Sequence, residues 1–280
     1  MADSASEIKA EHPAEKNEIK AEHPVKKKKK LHFATWIALA SAAAAIIAAF
    51  ISSSSVNVAK AQNIAAEQQQ LVTVTIAIEQ AFSGQQAAED QAAGKLTGTA
   101  RSAAVAEADQ EIVAETTADA QAAAVLINDL NGDGVAGIEY VTVARALANY
   151  GDTALAITYY KDAVNASVHD VPTRADALRF EASLYYSLGQ DAIGHQDMIL
   201  AARIYGGHPA LTKSLIDNSI AQAYLEDAGY QILANGCQTA ATDLADAKSA
   251  IAPLGTNGPN LTVQALESEV SVAYSKKCIA

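Results

Sequence analysis

Residues 144–164 read ARALANYGDTALAITYYKDAV, and the placing of small and large side chains in this stretch decides the fold. Small residues stand at Ala144, Gly151, Ala156 and Ala163, with Tyr160 as the bulky side chain among them. This is the pattern of paired helices. Small residues at the crossing points let two helices approach closely, while an aromatic fills the gap beside them. The pattern then returns. After a short insertion, Ala182, Tyr185, Leu188-Gly189, Gly194, Met198 and Ala201 occupy corresponding positions, and Pro209 closes the unit. A third copy keeps Ala221, Tyr224, Ala240, Leu244 and Ala247 but is interrupted at Gly229 and at Asn235-Gly236. Pro253 to Pro259 reads as a loop and Leu261 to Lys277 as a last helix that caps the stack.

On these residues, the region 140–280 resembles the tetratricopeptide repeat, with Ala144, Gly151, Ala156, Tyr160, Ala163, Ala182, Tyr185 and Gly189 at its packing positions. The resemblance implies an all-α solenoid of stacked helix pairs whose concave face binds protein or peptide. The overall plan is similar to that of bacterial envelope tetratricopeptide proteins, including the ancillary subunit of the secretion translocon. The order of the copies leaves the register of the third open.

Working outward, the strongest feature is an apolar run from Leu31 to Ile51, LHFATWIALASAAAAIIAAFI, uncharged from Phe33 on. At about 1.5 Å rise per residue, and with its flanks, it reaches across a hydrocarbon core of ~30 Å. Lys26 to Lys30 precede it, Ser52 to Ser55 follow it, and Trp36 falls at interface depth. The positive-inside rule then puts the N-terminus in the cytoplasm and the rest of the chain outside, as a single-pass protein of the cell membrane. A cleaved signal peptide competes with this reading. Its apolar region is normally about 7 to 15 residues, and the nearest small-x-small site, Ala59-Lys60-Ala61, lies well past Ile51.

The organisation that follows is a disordered tail over 1–30, a membrane helix over 31–52, a helical stalk or hairpin over 53–128, an Asp/Asn/Gly turn over 129–139 and the repeats over 140–280. The tail contains a duplicated heptapeptide, Glu7-Ile8-Lys9-Ala10-Glu11-His12-Pro13 and Glu18-Ile19-Lys20-Ala21-Glu22-His23-Pro24, too polar to bury a core. In the stalk, Ile64, Leu71, Ile78 and Phe82 recur near a seven-residue period, which predicts a helix. Leu71 to Ile78 also alternates and is β-branched, so a strand competes there. A second helical pattern runs from Ala100 to Ile127.

Asp129-Leu130-Asn131-Gly132-Asp133-Gly134 resembles the first half of an EF-hand or dockerin calcium loop. Asp129, Asn131 and Asp133 are its candidate oxygen ligands for Ca2+. The second half departs from the family: Tyr140 stands where the bidentate acid belongs, and Glu139 is one position early. The alternative is an Asx-rich turn between helices. No other cofactor is expected.

Charge narrows the partners. Residues 1–30 hold eight Lys against six Asp or Glu, so the remaining chain carries −14 of the net −12. A surface that acidic repels nucleic acid and anionic lipid and favours basic partners, cations or simple solubility; a protein or peptide is the expected partner, with a homo-oligomer as a further option. Cys237 and Cys278 stand at the start of one predicted helix and after the end of the next; antiparallel packing would let them form a disulfide, and two separate thiols is the alternative.

Nucleotide-binding glycine loops, H-E-x-x-H and nucleophile elbows are absent from the sequence. His169-Asp170 and His195 with Asp197 are the acid–base pairs that adjacency suggests, and adjacency does not make a general base. The expectation is therefore a non-enzymatic, membrane-tethered binding scaffold, with an envelope sensor or stalk that oligomerises through 56–127 as the alternative. Protease added to intact cells should spare residues 1–30 and reach the domain after Ser55, and a mature N-terminus at Gln62 would overturn the anchor.

Overall fold

The computed structural model describes residues 55–84, 99–206 and 208–279. Residues 58–280 belong to one unit. Among the described residues no helix is long and apolar enough to cross a membrane; the span 31–52 and the tail 1–30 lie outside them. The described elements are helical throughout. We label residues 55–84 α1, followed by α2 (Thr99–Asp129), α3 (Gly137–Tyr150), α4 (Thr153–Ala166), α5 (Val171–Ser187), α6 (Asp191–Tyr205), α7 (Lys213–Leu233), α8 (Cys237–Ile251) and α9 (Leu261–Tyr274). A 3-10 turn at Ala252–Asn257 precedes α9, and a π turn at Ser275–Ile279 ends the described chain.

The residues over which helix and strand compete are helical, and burial shows why. On α1, Leu71, Thr75, Ile78 and Phe82 are buried while Val72 and Ile76 are exposed, a stripe of period near 3.6 rather than an alternation. On α2, Thr116, Ala120, Ala123 and Ile127 repeat the same stripe. The two helices do not stand apart from the repeats. Their apolar faces share one core with Tyr140, Leu147, Ala156, Tyr160 and Leu184 of α3, α4 and α5, so the hairpin of 53–128 serves as a first helix pair in its described part.

The repeating unit is a helix, a tight turn and a second helix. Consecutive helices from α2 to α8 pack on one another, and α3, α5, α7 and α9 also touch in succession. That is the pairing of a stacked helical repeat, with odd-numbered helices in one row and even-numbered helices behind them. The turns inside the pairs share a device. Each holds one residue at positive φ: Gly151 at 100°, Gly189 at 69° and Asn235 at 65°. The left-handed conformation is open to glycine and tolerated by asparagine, so the third pair keeps its turn although its sequence looks broken. Gly151 and Gly189 therefore shape turns and are not crossing points. Helix starts are fixed by side chains: Asp152 Oδ1 accepts from Leu155 N, Asp170 Oδ1 from Thr173 N, Thr212 Oγ1 from Leu215 N and Asn260 Oδ1 from Val263 N.

Close packing is carried by alanine and by glycines at Gly137 and Gly194, where a Cβ at Gly137 of α3 would lie 3.2 Å from the Ala163 carbonyl oxygen of α4. Ala144, Ala156, Ala163, Ala182 and Ala201 are fully buried, with Tyr160 and Met198 as the large side chains between them. On α6, a Cβ at Gly194 would lie 2.8 Å from Cδ2 of Tyr186 and 3.0 Å from the Ala182 carbonyl oxygen of α5. Gly229 is different, because a Cβ there would meet only Val270 Cγ2, at 3.8 Å.

The end of the stack differs in one respect from antiparallel packing of the last two helices. α9 rests chiefly on α7 and only lightly on α8, with Val263 and Val270 buried against α7 residues such as Ala221, Leu225 and Ala228. Cys237, at the first position of α8, is bonded to Cys278 in the π turn, with Cα atoms 5.5 Å apart. Lys277 Nζ adds a hydrogen bond of 3.0 Å to the Leu233 carbonyl of α7.

Gly194 and Gly229 give opposite expectations. Gly194→Ala should lose roughly 1–3 kcal/mol through overpacking, more than the ~1 kcal/mol of helix propensity it gains. Gly229→Ala should be neutral or stabilising by up to ~1 kcal/mol. Thermal melts of both variants check this, and equal shifts would show that the α5–α6 approach is not tight.

Candidate functional site

A furrow runs along the odd-numbered helices. Between α1 and α3 lies a cavity of about 560 Å³ walled by Val72, Ile76 and Glu79 on one side and Ile138 and Thr142 on the other. Thr142 Oγ1 donates to Glu79 Oε1 at 2.8 Å, and Arg145 Nη1 stands 3.5 Å from the same oxygen. The Arg145 guanidinium lies over two rings, 4.5 Å from the centroid of Phe82 and 4.7 Å from that of Phe180. Cations favour that position because both ring faces are electronegative. Arg145, Phe82 and Phe180 in turn line a second cavity of about 360 Å³, between α1, α3 and α5, with Asn149 and Ser183.

The furrow continues across α7. Ser183 Oγ of α5 and Tyr230 OH of α7 share a hydrogen bond of 2.6 Å. Beside it, Arg179 Nε donates to Glu226 Oε2 at 2.8 Å, and its Nη1 to Asp176 at 2.8 Å. Burial works against the Arg179 charge, but its hydrogen bond to Glu226 and the two carboxylates more than restore it, leaving the pKa above its ordinary value. Tyr230 and Glu226 then line a third cavity of about 300 Å³ with Leu233 of α7 and Leu266 and Glu269 of α9. Glu79–Arg145 and Ser183–Tyr230 each pair a lining residue of one cavity with one of the next, so the three follow one another along the odd-numbered helices. The two ends of the row carry exposed apolar side chains, Ile76 and Ile138 at one and Leu233 at the other.

The other side of the stack holds a cavity of about 440 Å³ formed by α4, α5 and α6, lined by Lys161, Asn165, Glu181, Tyr185 and Asp197 among others. Burial, then the charge of Asp197, push Glu181 up to about 7. Burial pushes Asp197 up to about 6, against the pull of Lys161.

Adjacent residues in the sequence are not partners here. His195 turns to α7, where its Nδ1 lies 2.5 Å from Asp227 Oδ2, whereas Asp197 faces the Lys161 cavity. Asp170 caps α5 and also accepts from Thr173 Oγ1 at 2.7 Å. Asp129, Asn131 and Asp133 sit in the turn between α2 and α3, built on positive φ at Asn131, Gly132 and Gly134. Gln68 Nε2 donates to the Asp133 carbonyl oxygen at 3.1 Å. Glu139, the acid nearest the missing calcium position, accepts from Ala136 N at 2.7 Å and so caps α3.

Of the expected packing residues, Ala144, Ala156, Tyr160, Ala163, Ala182 and Tyr185 lie in the core. The groove residues Phe82, Arg145, Phe180 and Tyr230 were not readable as a site, since they are remote in sequence. The signal was there only in part: Phe82 and Phe180 are large aromatics in an alanine-rich chain that has four Phe in all.

Glu181 gives the stability of the stack a pH dependence of definite sign. Its pKa is raised in the folded chain, so between about pH 4.5 and 7 the folded state keeps a proton that the unfolded chain releases. That contribution is present at low pH and is lost as pH rises through 7. Melting temperatures measured from pH 5 to 8 should fall with a steeper slope in the parent chain than in Glu181→Gln, and parallel curves would contradict the assignment.

No family profile matches the sequence, and no curated protein matches it. Among solved structures, the chain is similar to the C-terminal part of a TPR repeat-containing protein from Cytophaga hutchinsonii, with 15% sequence identity over 75% of this chain and 79% of that one, at a TM-score of 0.32. The all-α fold of paired helices rests on the packing described above.

Proposed function

We propose that the protein is a membrane-tethered helical-repeat scaffold whose extracytoplasmic furrow holds an extended protein or peptide segment. The observation that carries this reading is the succession of three cavities along α1 to α9, with Glu79–Arg145 and Ser183–Tyr230 pairing lining residues of neighbouring ones. Helices pack about 8–10 Å apart and an extended chain advances about 3.3 Å per residue, so a segment on the order of ten residues spans the row. Its centre offers an arginine on two aromatic faces; its ends offer apolar side chains. The tether is supported by the apolar run 31–52 with its lysine block, and it would raise the local concentration of the scaffold near other envelope proteins. The reading assigns no reaction to the chain.

The alternative, a stalk that self-associates through 56–127, draws on exposed Val58 and Val125. One experiment separates the two. A photo-crosslinking residue is placed in the full chain, in cells, at Asn149 in the furrow or at Asn165 on the opposite side. A discrete adduct from position 149 that is missing from 165 and is lost in Arg145→Glu supports the furrow. Equal adducts from both positions overturn it, and an adduct at twice the chain mass from either position favours self-association.

A further inference from the structure

Three side chains from three consecutive helices converge where α6, α7 and α8 meet. Donor atoms of His195, Asp227 and Asp243 all lie within 4.8 Å of one another. Among the described residues this is the one group of His, Cys, Asp and Glu so gathered. Asp227 is 0% exposed and Asp243 2%. Acidic residues close together are common on surfaces, but these are interior.

The partners of each oxygen show what is unsatisfied. Asp227 accepts from the Tyr186 hydroxyl at Oδ1 and meets His195 Nδ1 at Oδ2. Asp243 Oδ2 is buried within the same cluster, and no N–H or hydroxyl donor reaches it; its hydrogen-bonding neighbour is the Asp227 carboxyl, which can hold it only through a shared proton, the place a cation would take. A buried carboxylate oxygen normally has a partner, and an ion supplies one where no donor does.

We propose that His195, Asp227 and Asp243 form a binding site for one divalent cation of the zinc class, held between α6, α7 and α8. One imidazole nitrogen and two carboxylate oxygens make a three-ligand set that zinc accepts, with a fourth position left for water. Two carboxylates also match the cation's charge. Zinc bonds of about 2.0 Å at tetrahedral angles put donors roughly 3.3 Å apart, so the short His195–Asp227 contact opens by under about 1 Å as the ion replaces it, and the widest pair, at most 4.8 Å apart, closes by up to about 1.5 Å. The surrounding residues are arranged as an outer shell. Tyr186 donates to Asp227, and Gln231 Nε2 donates to the Tyr186 hydroxyl at 2.9 Å, which fixes the ligand's direction. Tyr186 is itself held by stacking on Tyr230, with ring centroids 4.6 Å apart. The His195 side chain is 33% exposed and gives the ion its way in.

The test uses the purified full-length protein in detergent, stripped with chelator and titrated with Zn2+ against a chromophoric competitor. His195→Gln and Asp243→Asn should each bind one equivalent fewer than the parent chain, whereas Asp197→Asn should bind as the parent does. Tyr186→Phe should keep the equivalent with affinity reduced about 10- to 100-fold. Cobalt provides a reading that does not depend on variants folding: the parent chain should develop a visible d–d band of tetrahedral intensity that added Zn2+ removes. An unchanged stoichiometry in the two ligand variants, or no cobalt band in the parent chain, would mean that the two carboxyls share only a proton and would overturn the proposal.

Discussion

The structure depends on how closely its helices can approach. Alanine brings a single methyl to the core, so each buried residue contributes less than the ~1.5–3 kcal/mol of a leucine or valine. Only short interhelix distances turn such side chains into a continuous interior. The α5–α6 contact is the clearest case, where the backbone at Gly194 passes so near Tyr186 and the Ala182 carbonyl that no Cβ fits. Leu71, Leu147, Tyr160, Met198 and Leu225 then fill what the small residues leave. With the pairs drawn in this way, the odd-numbered helices have no choice but to stand in a row.

That row holds two arginines in fixed positions. The chain beyond residue 30 is strongly acidic, yet Arg145 and Arg179 both lie in the furrow, one on aromatic rings and the other against Glu226 and Asp176. Each is held by neighbours from a different helix, so the side chains are ordered in advance and a bound segment meets them without further loss of side-chain freedom. The opposite side has the reverse character, with Glu181 and Asp197 crowded by burial around Lys161.

The sequence carried the helix pairs because periodicity is local. Ala156, Tyr160 and Ala163 lie within two turns of one helix, with Ala144 on the helix before, and their spacing survives as burial. The competition between helix and strand at Leu71 to Ile78 was settled by tertiary contact, since the residues that are buried there follow the helical stripe. The roles of Gly151 and Gly189 were misread because a glycine that caps a helix and one that admits a neighbour look alike in one dimension; φ distinguishes them. The furrow and the His195 cluster were invisible for another reason. Glu79 and Arg145, Ser183 and Tyr230, or His195 and Asp243 come together only once the stack exists, and acids such as Asp227 and Asp243 read as ordinary polar positions of amphipathic helices.

The bond between Cys237 and Cys278 encloses α8, the 3-10 turn at Ala252–Asn257 and α9 within a span of 41 residues. Because the connecting segment with Pro253 and Pro259 lies inside that span, a cut there divides the backbone without releasing a fragment. α9 would remain attached through sulfur, still seated on α7, and the nicked chain would run as one species until a reductant is added. In an oxidising compartment the last helix is thus held through a break in this segment, while the same break in a reducing one would shed it.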